Sequence, residues 1–310
     1  MKSLVTSSAA LLILGMAALY SATGATQPAQ ESAEPDLQIA VEAKNPWTDL
    51  QLNNDPKNFQ FAIVTDRTGG HRPGVFRGAI DKLNLLQPEF VVSVGDLIEG
   101  GTEDPGRWAL EWSEFQSNVE RLDMPFFYLP GNHDISNMPM FEEWNRKFGR
   151  SYYSFRYHDV LFLCLNSEDP PRTGSFHFSQ DQQEWAQAVL AENEDARWTI
   201  VLLHKPTWTY VDADLEASGW APIEDALGDR PYTVFSGHKH NYAKSVRRGR
   251  DYYMLATTGG GSNLSGKDQG RFDHVVWVTM KDDGPVISNL MLDGIDHKNI
   301  RTVPDVRKGK

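Results

Sequence analysis

Five stretches of the chain place metal-binding side chains directly after apolar runs. Asp66 follows residues 59–65, Asp96 follows 90–94, and Asn132-His133-Asp134 follows 126–129. His204 closes the run 199–204, and His238 and His240 follow 232–236. Asp66, Asp96, Asn132, His204, His238 and His240 together offer two carboxylates, three imidazoles and one amide oxygen. That oxygen and nitrogen donor set suits Mn, Fe, Zn or Mg better than a thiolate-seeking ion. Each residue taken singly has a plainer reading. An aspartate at a strand end is usually a turn or helix cap, and a single histidine after an apolar run is usually structural. Six donors in order at the ends of successive runs would require several coincidences, so the metal reading is preferred.

The apolar runs are the elements that must carry these residues. Strands are expected over residues 59–65, 90–94, 126–129, 151–155, 160–166, 199–204 and 232–236, and helices over 75–86, 107–122, 140–148, 180–192 and 222–227. Strands rich in Val, Ile and Phe without polar alternation are buried on both faces, as in α/β sheets, where ligands gather at the carboxyl ends of strands. Residues 241–246, 250–257, 274–280 and 286–293 read as successive strands with short turns and predict a mainly antiparallel second sheet.

The first residues carry Lys2, an apolar stretch from Ala9 to Leu19, and small residues around Ala22 to Ala25. This is the three-part layout of a secretory signal peptide, expected over residues 1–25 and implying a secreted or periplasmic protein. An uncleaved N-terminal membrane anchor is the alternative, although the apolar stretch falls short of the ~20 residues a span requires. No membrane span is expected in the mature chain. Residues 26–57 read as a polar linker or arm, 58–300 as the catalytic domain, and 301–310 as a basic tail. The formal charge of −12 is not gathered into a block. It argues against a stable nucleic-acid complex, which needs clustered Lys and Arg. It leaves phosphate-ester chemistry open, because a bound metal is the largest local charge in such a site. The single cysteine, Cys164, lies in an apolar run and reads as a small core residue.

The five stretches in order resemble the calcineurin-like metallophosphoesterases. That pattern runs Asp-x-His, Gly-Asp-x-x-(x)-Gly, Gly-Asn-His-Asp/Glu, a lone His, and Gly-His-x-His. Here the corresponding residues are Asp66-Arg67-Thr68, Gly95-Asp96 through Gly100, Gly131-Asn132-His133-Asp134, His204, and Gly237-His238-Lys239-His240. The resemblance spans roughly residues 59–245 and implies a four-layer αββα sandwich of two mixed sheets. It implies two divalent or trivalent metal ions (Mn, Fe, Zn or Mg) bridged by Asp96, one held by Asp66 and His240, the other by Asn132, His204 and His238. A hydroxide bridging the ions would attack phosphorus. His133 would assist the leaving oxygen, with Asp134 orienting its imidazole; the plainer role for Asp134 is to cap residues 135–137.

The departure is Thr68, which stands where the family has a histidine. Alternate residues of an extended segment point the same way, so Thr68 is expected in the ligand direction, with water completing the shell. The other repairs are His71 reaching in from the loop, or a weakly filled first site. His71 and Arg72 otherwise read, with Thr68, as substrate-side candidates. Gly259-Gly260-Gly261 could bring backbone amides to a phosphate, and Trp208, Tyr210 and Trp220 could form a stacking wall. His274 is a lesser candidate to face the site. The expected function is hydrolysis of a phosphate ester, either a small molecule or a lipid head group, with monoester and diester both open. The alternative is a phosphate-ester binding or sensing module with a retained metal cage and little turnover.

Overall fold

The structure, a computed structural model, describes residues 37, 39–41, 43–171, 176–210 and 214–294. The leader expected over 1–25, the first part of the arm and the tail at 301–310 lie outside the described residues. Met1–Leu52 and Asn53–Lys310 form separate units. In the first, the described residues carry no helix or strand. Among the described residues no helix is long and apolar enough to cross a membrane.

The second unit opens with β1 (Phe59–Val64), α1 (Val75–Leu86), β2 (Phe90–Ser93), α2 (Pro105–Val119), β3 (Phe126–Phe127) and α3 (Met138–Phe148). It continues with β4 (Tyr153–Tyr157), β5 (Val160–Cys164), α4 (Gln180–Glu192), β6 (Trp198–Leu202), α5 (Trp220–Leu227) and β7 (Tyr232–Ser236). The last strands are β8 (Ala243–Arg247), β9 (Arg250–Met254), β10 (His274–Lys281) and β11 (Gly284–Met291). Local chemistry sets several boundaries. Asp104 accepts the amide of Gly106 and Pro105 occupies the first turn, so α2 starts two residues before the apolar pattern indicates. Asn137 likewise accepts the Met140 amide and starts α3 at Met138.

The strands form two sheets, ordered β11-β10-β1-β2-β3 and β4-β5-β6-β7-β9-β8. β1, β2 and β3 run parallel, as do β5, β6, β7 and β9. The C-terminal strands do not form a sheet of their own, contrary to the sequence expectation. The β8–β9 hairpin extends one sheet, with β9 parallel to β7, while β10 pairs antiparallel with β1 in the other. Turn signals between neighbouring strands identify hairpins but do not say which edge a hairpin joins.

Period-two alternation divides the core into three layers. In β1, Phe59, Phe61 and Ile63 face the other sheet, where Phe162, Cys164, Ile200, Leu202 and Phe235 meet them. Ala62 and Val64 face α1, whose Phe76, Ala79, Ile80 and Leu83 recur at helical spacing. In β5, Leu161 and Leu163 turn instead to α4 and α5. Helices therefore cover both outer faces, giving a four-layer αββα sandwich. Burial pushes the Cys164 thiol up to about 12, consistent with a core role. Each fully buried Phe contributes roughly 1.5–3 kcal/mol.

His274, weighed as a site residue, is instead part of this framework. Its Nε2 accepts the Ala256 amide at 3.2 Å and its Nδ1 faces Asn289 Oδ1 at 3.0 Å. An imidazole accepting an amide at one nitrogen and facing a carbonyl oxygen at the other is neutral, and burial pulls its pKa down to about 4. The unfolded chain binds this proton near pH 6.5 and the folded chain only near pH 4, so the contribution is complete above the higher value and lost as pH falls between them. Urea denaturation from pH 6.5 to 4 should show wild type losing about 1.4 kcal/mol per pH unit relative to His274→Gln; parallel pH profiles would contradict the assignment.

Candidate metal centre

The six sequence-predicted ligands lie just beyond the carboxyl ends of parallel strands: Asp66 after β1, Asp96 after β2, Asn132 after β3, His204 after β6, and His238 and His240 after β7. They form two groups that share one carboxylate. In the first, donor atoms of Asp66, Asp96 and His240 lie within 4.8 Å of one another; in the second, those of Asp96, His204 and His238 do. Asn132 joins the second group, with its Oδ1 3.1 Å from His204 Nε2. Asp66, Asp96 and His204 are buried.

The donor chemistry fits cations. His204 Nδ1 lies 2.8 Å from the Val94 carbonyl, and His240 Nδ1 lies 2.6 Å from the Gly261 carbonyl. A carbonyl only accepts, so both Nδ1 atoms carry protons and both Nε2 atoms point inward. His204 Nε2 then meets Asp96 Oδ2 at 3.1 Å, Asn132 Oδ1 at 3.1 Å and His238 Nδ1 at 3.3 Å. His240 Nε2 meets Asp66 Oδ1 at 3.3 Å. Lone pairs converging in a buried site call for positive charge among them. The protonation energetics follow the same field. Burial disfavours the charged form of His204, yet Asp96, with Asp66 and Glu168 behind it, raises its pKa to about 9. Burial takes His238 down to about 2, helped by the charges of His204 and Lys205.

The backbone holds these ligands in conformations that side chains rarely adopt. Asp96, His238 and His240 have φ values of 58°, 73° and 49°. Left-handed residues of this kind concentrate where a site fixes geometry at a cost. Close approach explains the neighbouring glycine: a Cβ on Gly237 would lie 2.2 Å from Asp66 Oδ2. Its absence lets the His238 amide donate to Asp66 Oδ1 at 2.8 Å.

His133 lies at the rim, its amide donating to Asp96 Oδ1 at 3.0 Å. Its Nδ1 lies 2.6 Å from the Glu99 carbonyl, so Nε2 is the nitrogen left free of that contact. That nitrogen faces the first group, since a Cβ on Gly69 would sit 3.5 Å from it and 2.9 Å from His240 Cε1. The orienting role expected of Asp134 is not what the structure shows. Asp134 is buried and accepts the amides of Leu97 at 2.8 Å, Ile98 at 3.0 Å and Gly131 at 2.7 Å, tying two motif loops together. Burial and the Asp96 charge push its carboxyl up to about 7, against those three amides. The residue that orients His133 is Glu99, through its backbone carbonyl. Its position within Gly-Asp-Leu-Ile-Glu-Gly-Gly was the only signal, and a backbone contact leaves no mark on residue type.

Thr68 is buried; its amide donates to the Asp96 carbonyl at 3.2 Å and its hydroxyl oxygen has no hydrogen-bond partner among the described residues. Burial raises the Glu99 pKa, but the amides of His71 and Gly70 counter it and the carboxyl is held below its usual range. His71 does not reach the ligands. Its amide donates to Glu99 at 2.6 Å, and its ring lines a separate cavity of about 320 Å³ beside Arg67, Arg77 and Glu114. Arg72 is committed to Asp273 and to the Gly260 carbonyl at 2.8 and 2.9 Å, and so fastens the glycine loop instead of facing substrate.

The glycine amides are likewise spent within the loops: Gly260 donates to Asp66 O at 2.9 Å and Gly261 to Gly69 O at 3.2 Å. Of the expected aromatic wall, Trp220 is buried beside Phe178 and Trp208 packs edge-on against Tyr252. Tyr210 alone of the three meets a charged side chain of the motif loops, Lys239.

The family described as Calcineurin-like phosphoesterase matches residues 48–242. The human serine/threonine-protein phosphatase CPPED1 is 33% identical over 198 residues, which cover 58% of this chain and 62% of that protein. The chain thus spans less than two thirds of the length of that curated relative. A dimetal phosphatase from Danio rerio has the same fold with a TM-score of 0.58 at 13% identity, covering 76% of this chain and 96% of that one. A purple acid phosphatase from yellow lupin (Lupinus luteus) superposes with a TM-score of 0.56 at 15% identity, over 77% of this chain and 52% of that one.

Replacing Asp134 by Ala should leave three buried amides without an acceptor. Chemical denaturation should show a loss of about 3 kcal/mol or more. A loss under about 0.5 kcal/mol, the size of an ordinary surface change, would contradict the loop-tying role.

Proposed function

The chain belongs to the calcineurin-like phosphoesterase family, and from that premise we propose that it hydrolyses phosphate esters at a dinuclear metal centre. The observation that carries this reading is the pair of ligand groups sharing Asp96, with inward imidazole lone pairs and the His133 ring at the rim. Asp66, Asp96 and His240 would hold one ion, and Asp96, Asn132, His204 and His238 the other. When bound, the two ions would polarise a phosphoryl oxygen and supply the hydroxide nucleophile, as a metal pair does in related chemistry.

The protein's own groups do the rest. Asp96, common to both groups, would be a ligand to both ions. Val94 and Gly261 carbonyls fix the tautomers of His204 and His240, so that neutral nitrogens face the ions. The Glu99 carbonyl fixes His133 with Nε2 outward, where a proton on that atom can pass to the departing alcohol oxygen. The activity named for CPPED1 favours a phosphomonoester as substrate. The donor set supports Mn, Fe, Zn or Mg as the ions. The leader-like residues 1–25 support export, to the periplasm or outside the cell.

The test uses the metal-loaded chain with phenyl phosphate and bis(p-nitrophenyl) phosphate, in Mn, Fe, Zn and Mg separately. Asp96→Asn should lower kcat/KM by about three orders of magnitude or more, and His133→Ala by roughly 100- to 10,000-fold. Activity that survives both substitutions, or no hydrolysis of either ester by wild type, would sink the proposal. The faster substrate assigns monoester or diester preference.

A further inference from the structure

We infer that Lys239, held against the Tyr210 ring beside the metal centre, reads a second negative charge on the substrate. The preferred esters are then those whose alcohol carries a carboxylate or a further phosphate. The inference rests on the phosphoester reading above and deepens it.

The turn that carries Lys239 is unusually constrained. His238 and His240 on either side are both left-handed, and the Lys239 amide donates to the Gly237 carbonyl at 2.9 Å. The flanking imidazoles are thereby committed to the two ligand groups, and the exposed lysine stands between them. Its Nζ lies 4.3 Å from the Tyr210 ring centroid, a distance at which a ring face attracts an ammonium group. The Tyr210 ring is half-buried against Phe176, with centroids 5.2 Å apart, and so provides a fixed platform.

The chain carries a net −12, and many of the domain's other cations are matched. Arg107 pairs with Glu111, Arg156 with Asp195, Lys244 with Asp251 and Arg248 with Asp225. The nearby acid, Glu168, is bound to Lys205 in a buried pair at 2.9 Å. Among the described residues Lys239 has a ring beneath it and forms no ion pair. A cation beside the metal ligands, supported by an aromatic face and left without a carboxylate, suits an anionic group on the remainder of the substrate.

The experiment reads binding by calorimetry on the Mn-loaded full chain, using phosphonates that cannot be hydrolysed. One pair is rigid, phenylphosphonate against 4-phosphonobenzoate; the other is flexible, propylphosphonate against 3-phosphonopropionate. In at least one pair wild type should bind the carboxylated member about tenfold tighter. Lys239→Ala should bring that ratio to near one, Lys239→Arg should keep it, and Tyr210→Leu should reduce it. A ratio near one in both pairs for wild type, or an unchanged ratio in Lys239→Ala, would overturn the inference. Because binding is read without turnover, discrimination with no hydrolysis of any ester would count against the phosphoesterase reading alone. Hydrolysis without discrimination would count against this inference alone.

Discussion

The site depends on one residue used in three ways. The Asp96 side chain belongs to both ligand groups, its Oδ1 accepts the His133 amide, and its carbonyl accepts the amides of Arg67 and Thr68. A residue can serve those partners together only if the backbone reverses there, and Asp96 does so at a φ of 58°. That conformation disfavours a side chain by roughly 1–3 kcal/mol. The three hydrogen bonds, with the Asp134 clamp on the amides of Leu97 and Ile98 just beyond, hold it in place. The sandwich exists, for the purposes of the site, to bring the ends of β1, β2 and β3 from one sheet against those of β6 and β7 from the other.

Much of this was legible in the residues. The five motifs in order resembled the family and implied the four-layer sandwich, and α1, α4 and β7 have the bounds their apolar patterns predict. The six donors are brought together in two groups. Less legible was anything settled by a partner distant in sequence. Asp134 looked like a companion for His133 because it is adjacent in the chain, yet its carboxylate turns to amides 36 and 37 residues away. Arg72 looked substrate-facing because it is a cation near a motif, yet its partner, Asp273, is 201 residues on. Residue type states what a side chain can do; which of several partners it finds is decided by how the loops cross. The destination of the last hairpins was invisible for the same reason.

The departure at Thr68 changes the architecture of the rim and leaves both ligand groups in place. A histidine there would spend its imidazole on an ion. Threonine instead leaves a buried hydroxyl with no hydrogen-bond partner among the described residues, while the Glu99 carboxylate collects the amides of Gly70 and His71. Glu99 thereby joins the loop after β1 to His133, whose Nδ1 meets its backbone carbonyl. The first group keeps three side-chain ligands, Asp66, Asp96 and His240, against four in the second, counting Asn132. Two ions bound there would therefore be held unequally by this chain's own side chains.

This asymmetry also bears on folding. Asp66, Asp96, Asp134 and Glu168 are buried near one another, and their mutual field is visible in the raised carboxyl of Asp134 and the raised imidazolium of His204. Lys205 answers Glu168 directly and backbone amides answer Asp134, but Asp66 and Asp96 face inward lone pairs on His204 and His240. Protons at the imidazoles and cations between the groups answer that field in the same way, so the two compete. Ions that bind only the folded arrangement would stabilise it by mass action, so metal affinity and fold stability would be linked through the same buried carboxylates and imidazoles.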